Sequence, residues 1–212
     1  MIPGFLALSY VVGAIPTSFW VGKLFHGIDL RLEGSGNLGA TNVYRVLGWR
    51  SAVPVVLLDV AKGWIPVGVL AGVAGASFGW TLAFGAAAIL GHVFSFWVGF
   101  KGGKGVATSG GVFLGLAPWA VLGAFVIWCA LTVSTGYVSL GSIASAVALP
   151  VLIALTPHRG GWALTVFAVV LGAFVVWAHR ANVVRLLRGE ENRIGRGRNR
   201  EVDETASEGS SE

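Results

Sequence analysis

Along the chain, apolar stretches alternate with short polar, Gly-rich or Arg-bearing connections. The first apolar run covers Ile2 to Phe25, the second Ala52 to Val73 and the third Phe78 to Val98. A longer one covers Val106 to Val133, and two more cover Tyr137 to Leu155 and Trp162 to Ala178. A transmembrane helix needs about 20 mostly apolar residues. Five of the runs therefore suit one crossing each, whereas Val106 to Val133 is long for a single span. It also carries Gly110, Gly111 and Pro118. A break near Pro118 would give one short helix, about Val106 to Leu116, and one full-length helix.

The distribution of cations tests that division. Loops rich in Lys and Arg stay on the cytoplasmic side. Arg31, Arg45 and Arg50 follow the first run, Lys101 and Lys104 precede the long run, and the chain after the last run is rich in Arg. The Gly75–Ala76–Ser77 turn is uncharged, and no Lys or Arg precedes Lys23. Only with the long run split do all the basic segments fall on one side. The pattern thus predicts an all-α integral membrane protein with seven crossing helices, one of them short, an external N-terminus and a cytoplasmic C-terminus. Residues 1–189 form one transmembrane domain. Residues 190–212, charged and Ser-rich, form a tail expected to be disordered and able to lie on anionic headgroups.

Composition agrees with a membrane protein. Of 212 residues, 55% are hydrophobic and 12% charged, against about 25% charged in a soluble domain. Cys129 is the only cysteine, so neither a disulfide nor a thiolate metal cluster is expected. Asp29, Glu33 and Asp59 are the only carboxylates before Glu190. Paired-carboxylate metal or glycosidase chemistry is therefore hard to build.

Polar residues in so apolar a chain are costly unless they have a role, and they gather in four places. The first is Gly34-Ser35-Gly36-Asn37-Leu38-Gly39-Ala40-Thr41-Asn42, followed by Arg45. The second runs from Gly91-His92 to Lys101-Gly102-Gly103-Lys104-Gly105-Val106-Ala107-Thr108. The third is Ser139-Leu140-Gly141-Ser142, and the fourth is His179-Arg180-Ala181-Asn182 with Arg185. By the topology above, nearly all lie at the cytoplasmic face; His92 sits deeper. Glycines let backbone N–H groups approach an anion, and a following helix start adds positive potential. Lys and Arg add charge, and Ser, Thr and Asn add neutral hydrogen bonds. The combined signal is phosphate handling.

Two familiar patterns do not fit. Gly34-x-Gly36-x-x-Gly39 lacks the strand that a dinucleotide site requires, and Gly103-Lys104 is followed by Gly105 rather than the Ser or Thr of a P-loop. No H-x-x-x-x-D acyltransferase dyad is present. Asp59 and Lys62, spaced i,i+3 within a span, are expected to pair in a structural role.

At the four polar clusters, and at Asp59-Val60-Ala61-Lys62-Gly63, the sequence resembles the bacterial membrane acyl-phosphate:glycerol-3-phosphate acyltransferases, the PlsY type. One departure is Ser95, where that family usually has proline. The resemblance implies transfer of an acyl group from acyl-phosphate to the 1-hydroxyl of sn-glycerol 3-phosphate, giving 1-acylglycerol 3-phosphate (lysophosphatidate) and inorganic phosphate. It implies a multi-pass protein of the bacterial inner membrane with a cytoplasmic site, at the first step of phospholipid biosynthesis. It also implies a functional link to the enzyme that makes acyl-phosphate. Membrane lipid is the expected surroundings; no cofactor, metal or nucleic acid is expected. Carried onto this chain, Lys104, Arg45, Ser35, Ser142, His179 and Asn182 are the expected catalytic residues. Asn37, Gly39, Thr41, Asn42, Gly102, Gly103, Gly105, Thr108 and Ser139 are the expected substrate-binding residues. Lys104 with the Gly102 and Gly103 amides would stabilise the leaving phosphate. An acyl-phosphate is already activated, so no covalent nucleophile is required.

The competing reading is a small transporter of an anionic metabolite. It predicts an internal repeat and a midplane site. No repeat is visible in the sequence, and the motifs gather at one face.

Overall fold

A computed structural model describes residues 1–194. The described chain is helical, with no strand among the described residues. Helix α1 covers Ile2–Ala14 and α2 covers Thr17–Trp20, continued by a π-turn over Val21–Phe25. The short α3, Ala40–Leu47, is separated by Gly48 from α4, Trp49–Val73. Then come α5 (Phe78–Val93), α6 (Val106–Leu116), α7 (Pro118–Thr135), α8 (Val138–Leu155), α9 (Gly161–Ala178) and α10 (Arg180–Arg188). Among the described residues, five helices are long and apolar enough to cross a membrane. The bent pair Ile2–Ala14 and Thr17–His26 makes a sixth candidate, and Val106–Leu116 is apolar but short.

The long fourth run divides where the sequence suggests. Ala117 leaves helical geometry (φ −150°, ψ 70°), and Pro118 opens α7, a position where its missing N–H is harmless. The first run also divides: Ile15 and Pro16 interrupt it with a 44° bend. Hydropathy is continuous through that point, and the backbone change comes from Pro16.

Apolar side chains provide little drive for helices to associate inside a membrane, so close backbone approach through small residues takes over. In the α1–α5 contact, a Cβ on Gly13 would strike the Ala88 carbonyl, and one on Gly91 the Tyr10 carbonyl. In the α4–α6 contact, Gly63 faces the Thr108 carbonyl and Gly111 faces the Val60 carbonyl. Gly141 sits on Trp128 in the α7–α8 contact, and Gly172 on Ala146 in the α8–α9 contact. Large side chains such as Leu57, Val126 and Val170 remain outside, as a lipid-facing surface requires.

Residues 190–194, assigned by the sequence to a disordered tail, are part of the packed structure. Gly189, at φ 72°, reverses the chain after α10. The Ile194 amide then donates to the Gly136 carbonyl at 2.9 Å, and the Arg193 guanidinium lies 4.9 Å from the Tyr137 ring centre. The rest of the expected tail, 195–212, lies outside the described residues.

Candidate active site

One cavity of about 750 Å³ receives residues from all four polar clusters. From the first come Ser35, Asn37, Gly39, Thr41, Asn42 and Arg45; from the second, His92, Lys104 and Gly105. Ser139 and Ser142 come from the third, and His179, Asn182 and Arg185 from the fourth. Beyond this polar head the walls are mostly apolar, with Phe113, Phe125, Leu149 and Leu171 among them and Asp59, Ser109 and Ser145 as the polar exceptions.

The head is wired through Glu191. Lys104 Nζ donates to Asn182 Oδ1 at 2.5 Å. Asn182 Nδ2 donates in turn to Glu191 Oε1 at 2.8 Å, and Ser139 Oγ donates to the same oxygen at 3.0 Å. Arg185 Nε donates to Glu191 Oε2 at 2.7 Å. Arg45 Nη2 reaches the Asn192 carbonyl at 3.2 Å, while its Nε is buried without a hydrogen-bond partner among the described residues. Three cations thus surround one carboxylate, leaving surplus positive charge. Composition could not single out Glu191, because its surroundings in the sequence resemble the tail beyond it. The cue was Gly189, a helix-terminating glycine that turns the chain back.

Burial pushes the Lys104 ammonium down to about 8, with Arg185 adding to the effect and Glu191 opposing it. Burial also lowers Arg45, against the attraction of Glu191. For Glu191 burial acts upward, but hydrogen bonds from Asn182, Arg185 and Ser139 outweigh it and hold the carboxyl low. His179 is held at about 4, chiefly by burial, and is therefore neutral near pH 7. Its Nδ1 lies 2.8 Å from the Val175 carbonyl. A neutral ring donating there leaves Nε2 as the unprotonated nitrogen.

Several expected site residues are engaged by other parts of the protein. The Gly102 amide donates to the Val93 carbonyl at 2.9 Å, and the Gly103 amide to the His92 carbonyl at 3.3 Å. Neither glycine lines the cavity, so their amides support the loop instead of facing a phosphate. Thr108 is fully buried against Gly63 and is also outside the cavity wall. Asn42 lines the cavity, but its side chain is committed elsewhere. Its Nδ2 donates to the Leu30 and Glu33 carbonyls at 3.1 and 3.0 Å. Its Oδ1 accepts from the Ser35 amide at 2.8 Å and from Ser35 Oγ at 3.1 Å. Ser142 Oγ donates to the Val138 carbonyl at 2.8 Å and accepts from Trp128 Nε1 at 3.2 Å. The expected Asp59–Lys62 pair is formed at 2.8 Å and is buried. Among the described residues, no three His, Cys, Asp or Glu side chains converge as metal ligands would.

These features define a multi-pass helical membrane protein whose cavity joins a cationic head to an apolar wall. Residues 4–189 match the model of the glycerol-3-phosphate acyltransferase family. A glycerol-3-phosphate acyltransferase of Geobacter sulfurreducens is 45% identical over 188 residues, covering 89% of this chain and 95% of that protein. One from Fusobacterium nucleatum is 44% identical over 190 residues, covering 90% and 96%. The crystal structure of PlsY, an integral membrane glycerol 3-phosphate acyltransferase, in its glycerol 3-phosphate form superposes with a TM-score of 0.84 at 36% identity, covering 92% of this chain and 96% of that one. Its lysophosphatidic acid form gives 0.82 at 34% identity, covering 92% and 95%. The chain belongs to the glycerol-3-phosphate acyltransferase family, the acyltransferases of phospholipid biosynthesis.

Proposed function

We propose that the protein transfers an acyl group from acyl-phosphate to the 1-hydroxyl of sn-glycerol 3-phosphate, releasing lysophosphatidate and inorganic phosphate. The observation that carries this reading is a cavity with Lys104, Arg45 and Arg185 at one end and mostly apolar walls beyond. Both substrates bring phosphate to the cations, and the donor brings a chain to the walls. The matched relatives are glycerol-3-phosphate acyltransferases, and the neighbouring structure was obtained in glycerol 3-phosphate and lysophosphatidic acid forms.

In this reading Arg45, Lys104 and Ser35 hold phosphate, with Asn37, Gly39, Thr41 and Ser139 orienting the acceptor beside Gly105. Lys104 neutralises charge gathering on the departing phosphate. His179 Nε2 and the substrate's own phosphate are the two available acceptors for the hydroxyl proton. Asn182 fixes the Lys104 ammonium, and Ser142 shapes the wall below. Acyl-phosphate is a mixed anhydride, so direct attack by the hydroxyl suffices. Positioning and charge neutralisation supply the rest.

The same proposal sets the protein in the bacterial inner membrane with seven crossings, the N-terminus outside and the site cytoplasmic. Lys104 precedes α6 and Ser139 follows α7, yet both belong to one cavity head. That meeting supports an out-and-back path through α6 and α7, hence the odd number of crossings. In a Cys129→Ala background, Arg188→Cys should label from the cytoplasmic side only and Ser77→Cys from outside only.

The direct test uses purified protein in lipid with acyl-phosphate and glycerol 3-phosphate. Phosphate and lysophosphatidate should form in equal amounts, acyl-CoA should not replace the donor, and no acyl-enzyme should accumulate with acyl-phosphate alone. Transport of glycerol 3-phosphate without chemistry would overturn the reading.

A further inference from the structure

Lys104 sits in a stretch, Lys101 to Gly105, that has no helix of its own, yet the proposed chemistry requires its ammonium at a fixed point. The supports visible beneath it come from the end of α5. Gly102 and Gly103 hydrogen-bond the carbonyls of Val93 and His92. A Cβ on Gly102 would strike the His92 carbonyl, and one on Gly103 would strike His92 Nε2 and the Leu38 carbonyl. The loop therefore lies directly on the backbone and ring of His92.

The other ring nitrogen of His92, Nδ1, faces Asp59 Oδ1 at 3.9 Å. That carboxylate also accepts from Thr17 Oγ1 at 2.5 Å and pairs with Lys62 Nζ at 2.8 Å. Lys62 donates to the Ile15 carbonyl at 2.8 Å, at the break between α1 and α2. Pro16, Thr17, Leu38, Lys62, His92, Gly102 and Gly103 surround one small internal gap. The α1–α2 corner, α4, α5 and both Gly-rich loops thus meet on four side chains.

A buried ion pair gives little net stability, because desolvation offsets attraction; apolar replacements of similar volume are often tolerated. Stability alone is then a poor account of Asp59 and Lys62 within a span. We propose that Thr17, Asp59, Lys62 and His92 form a positioning unit that sets the height and direction of the Lys104 loop, with His92 as the contact that transmits it. This rests on the role given to Lys104 in the proposed reaction. Asp59 and His92 also line the main cavity, but none of the four is given a contact with reacting atoms.

The test has two arms, both on the full chain in lipid. In the first, amide hydrogen exchange of the 99–105 segment is compared among wild type, His92→Ala, and Asp59→Leu combined with Lys62→Met. Exchange should accelerate in this segment in both variants, while α8 and α9 exchange as in wild type. In the second, kcat and KM for glycerol 3-phosphate are measured for His92→Ala with Lys104 intact and with Lys104→Ala. Displacement of a reacting group by about an ångström can cost about a hundredfold, so kcat/KM should fall about tenfold to a hundredfold with Lys104 present. In the Lys104→Ala background the same change should cost less than about threefold.

Wild-type exchange in the loop, or equal fold-losses in both backgrounds, would overturn the positioning role. So would loss of activity that tracks only the folded fraction. If His92→Ala fails to accumulate, the near-isosteric Asp59→Asn carries the same expectations. Should wild type show no turnover with these substrates, the reaction is wrong and the exchange arm alone decides the positioning.

Discussion

Lys104 and Asn182 are 78 residues apart, and their side chains meet through a 2.5 Å hydrogen bond. This contact ties the Gly-rich loop before α6 to α10, with Glu191 behind the asparagine. It explains how a flexible ammonium is held as a fixed charge.

Lys104 and Lys101 should separate sharply. Lys101 is exposed, whereas Lys104 is part-buried in the cavity head. Loss of one charge-stabilising donor typically costs about 10²–10³ in turnover, so Lys104→Ala should fall in that range. Lys104→Arg should recover little, because a planar fork does not replace a point charge. Lys101→Ala should remain within a few-fold of wild type. Turnover at saturating substrate, with matched expression, is the measurement.

Activity should decline at alkaline pH. Lys104, held at about 8 by burial, loses its proton as pH rises through that value. A plot of log kcat/KM against pH should bend downward near pH 8, and the bend should be absent in Lys104→Arg. Stability should move the other way. Between pH 8 and the ordinary lysine value of 10.5 the unfolded chain binds more protons at this site, so its contribution to folding stability rises with pH.

Glu191→Gln should keep part of the scaffold and Glu191→Ala very little. The carboxylate accepts from Ser139, Asn182 and Arg185. Hydrogen bonds to a charged group are worth about 1.5–3 kcal/mol each, less at the part-exposed Arg185. Thermal unfolding in detergent should show Glu191→Ala least stable, Glu191→Gln intermediate and wild type highest. Activity should keep that order.

Ser95→Pro should be nearly neutral. Ser95 already has φ −70°, which suits the proline ring, and its amide makes no backbone hydrogen bond among those observed. The substitution removes the Ser95 Oγ bond to the Ala14 carbonyl. Reduced freedom of the unfolded chain offsets about 0.4–1 kcal/mol of that loss. A thermal midpoint changed by only a few degrees, with unchanged turnover, is the expected result.

Apolar run lengths and the position of cations were enough to locate most helices, and Pro118 marked the division of the long run. The bend at Ile15–Pro16 was harder to read, because apolar residues continue on both sides and only the proline interrupts them. At the site, residue type placed Ser35, Arg45, Lys104, Ser139, His179 and Asn182 in one group, since polar atoms are scarce in this chain. Type alone could not assign tasks. Asn42 looked like a ligand contact and instead spans Leu30, Glu33 and Ser35; Gly102 and Gly103 looked like an anion cradle and instead rest on α5. Such distinctions depend on which partner takes each donor, a three-dimensional fact that spacing does not record. Glu191 was hidden for another reason. It is one acid in a strongly charged segment, and only the reversal at Gly189 distinguishes it from the acids nearer the C-terminus.

The place of Glu191 also orders events during synthesis. It comes after every described helix, so a nascent chain that has already inserted α9 still lacks the carboxylate that joins Ser139, Asn182 and Arg185. The membrane part is made first and the wiring of its head last. A chain ending at Gly189 would leave Ser139, Asn182 and Arg185 without the carboxylate they share.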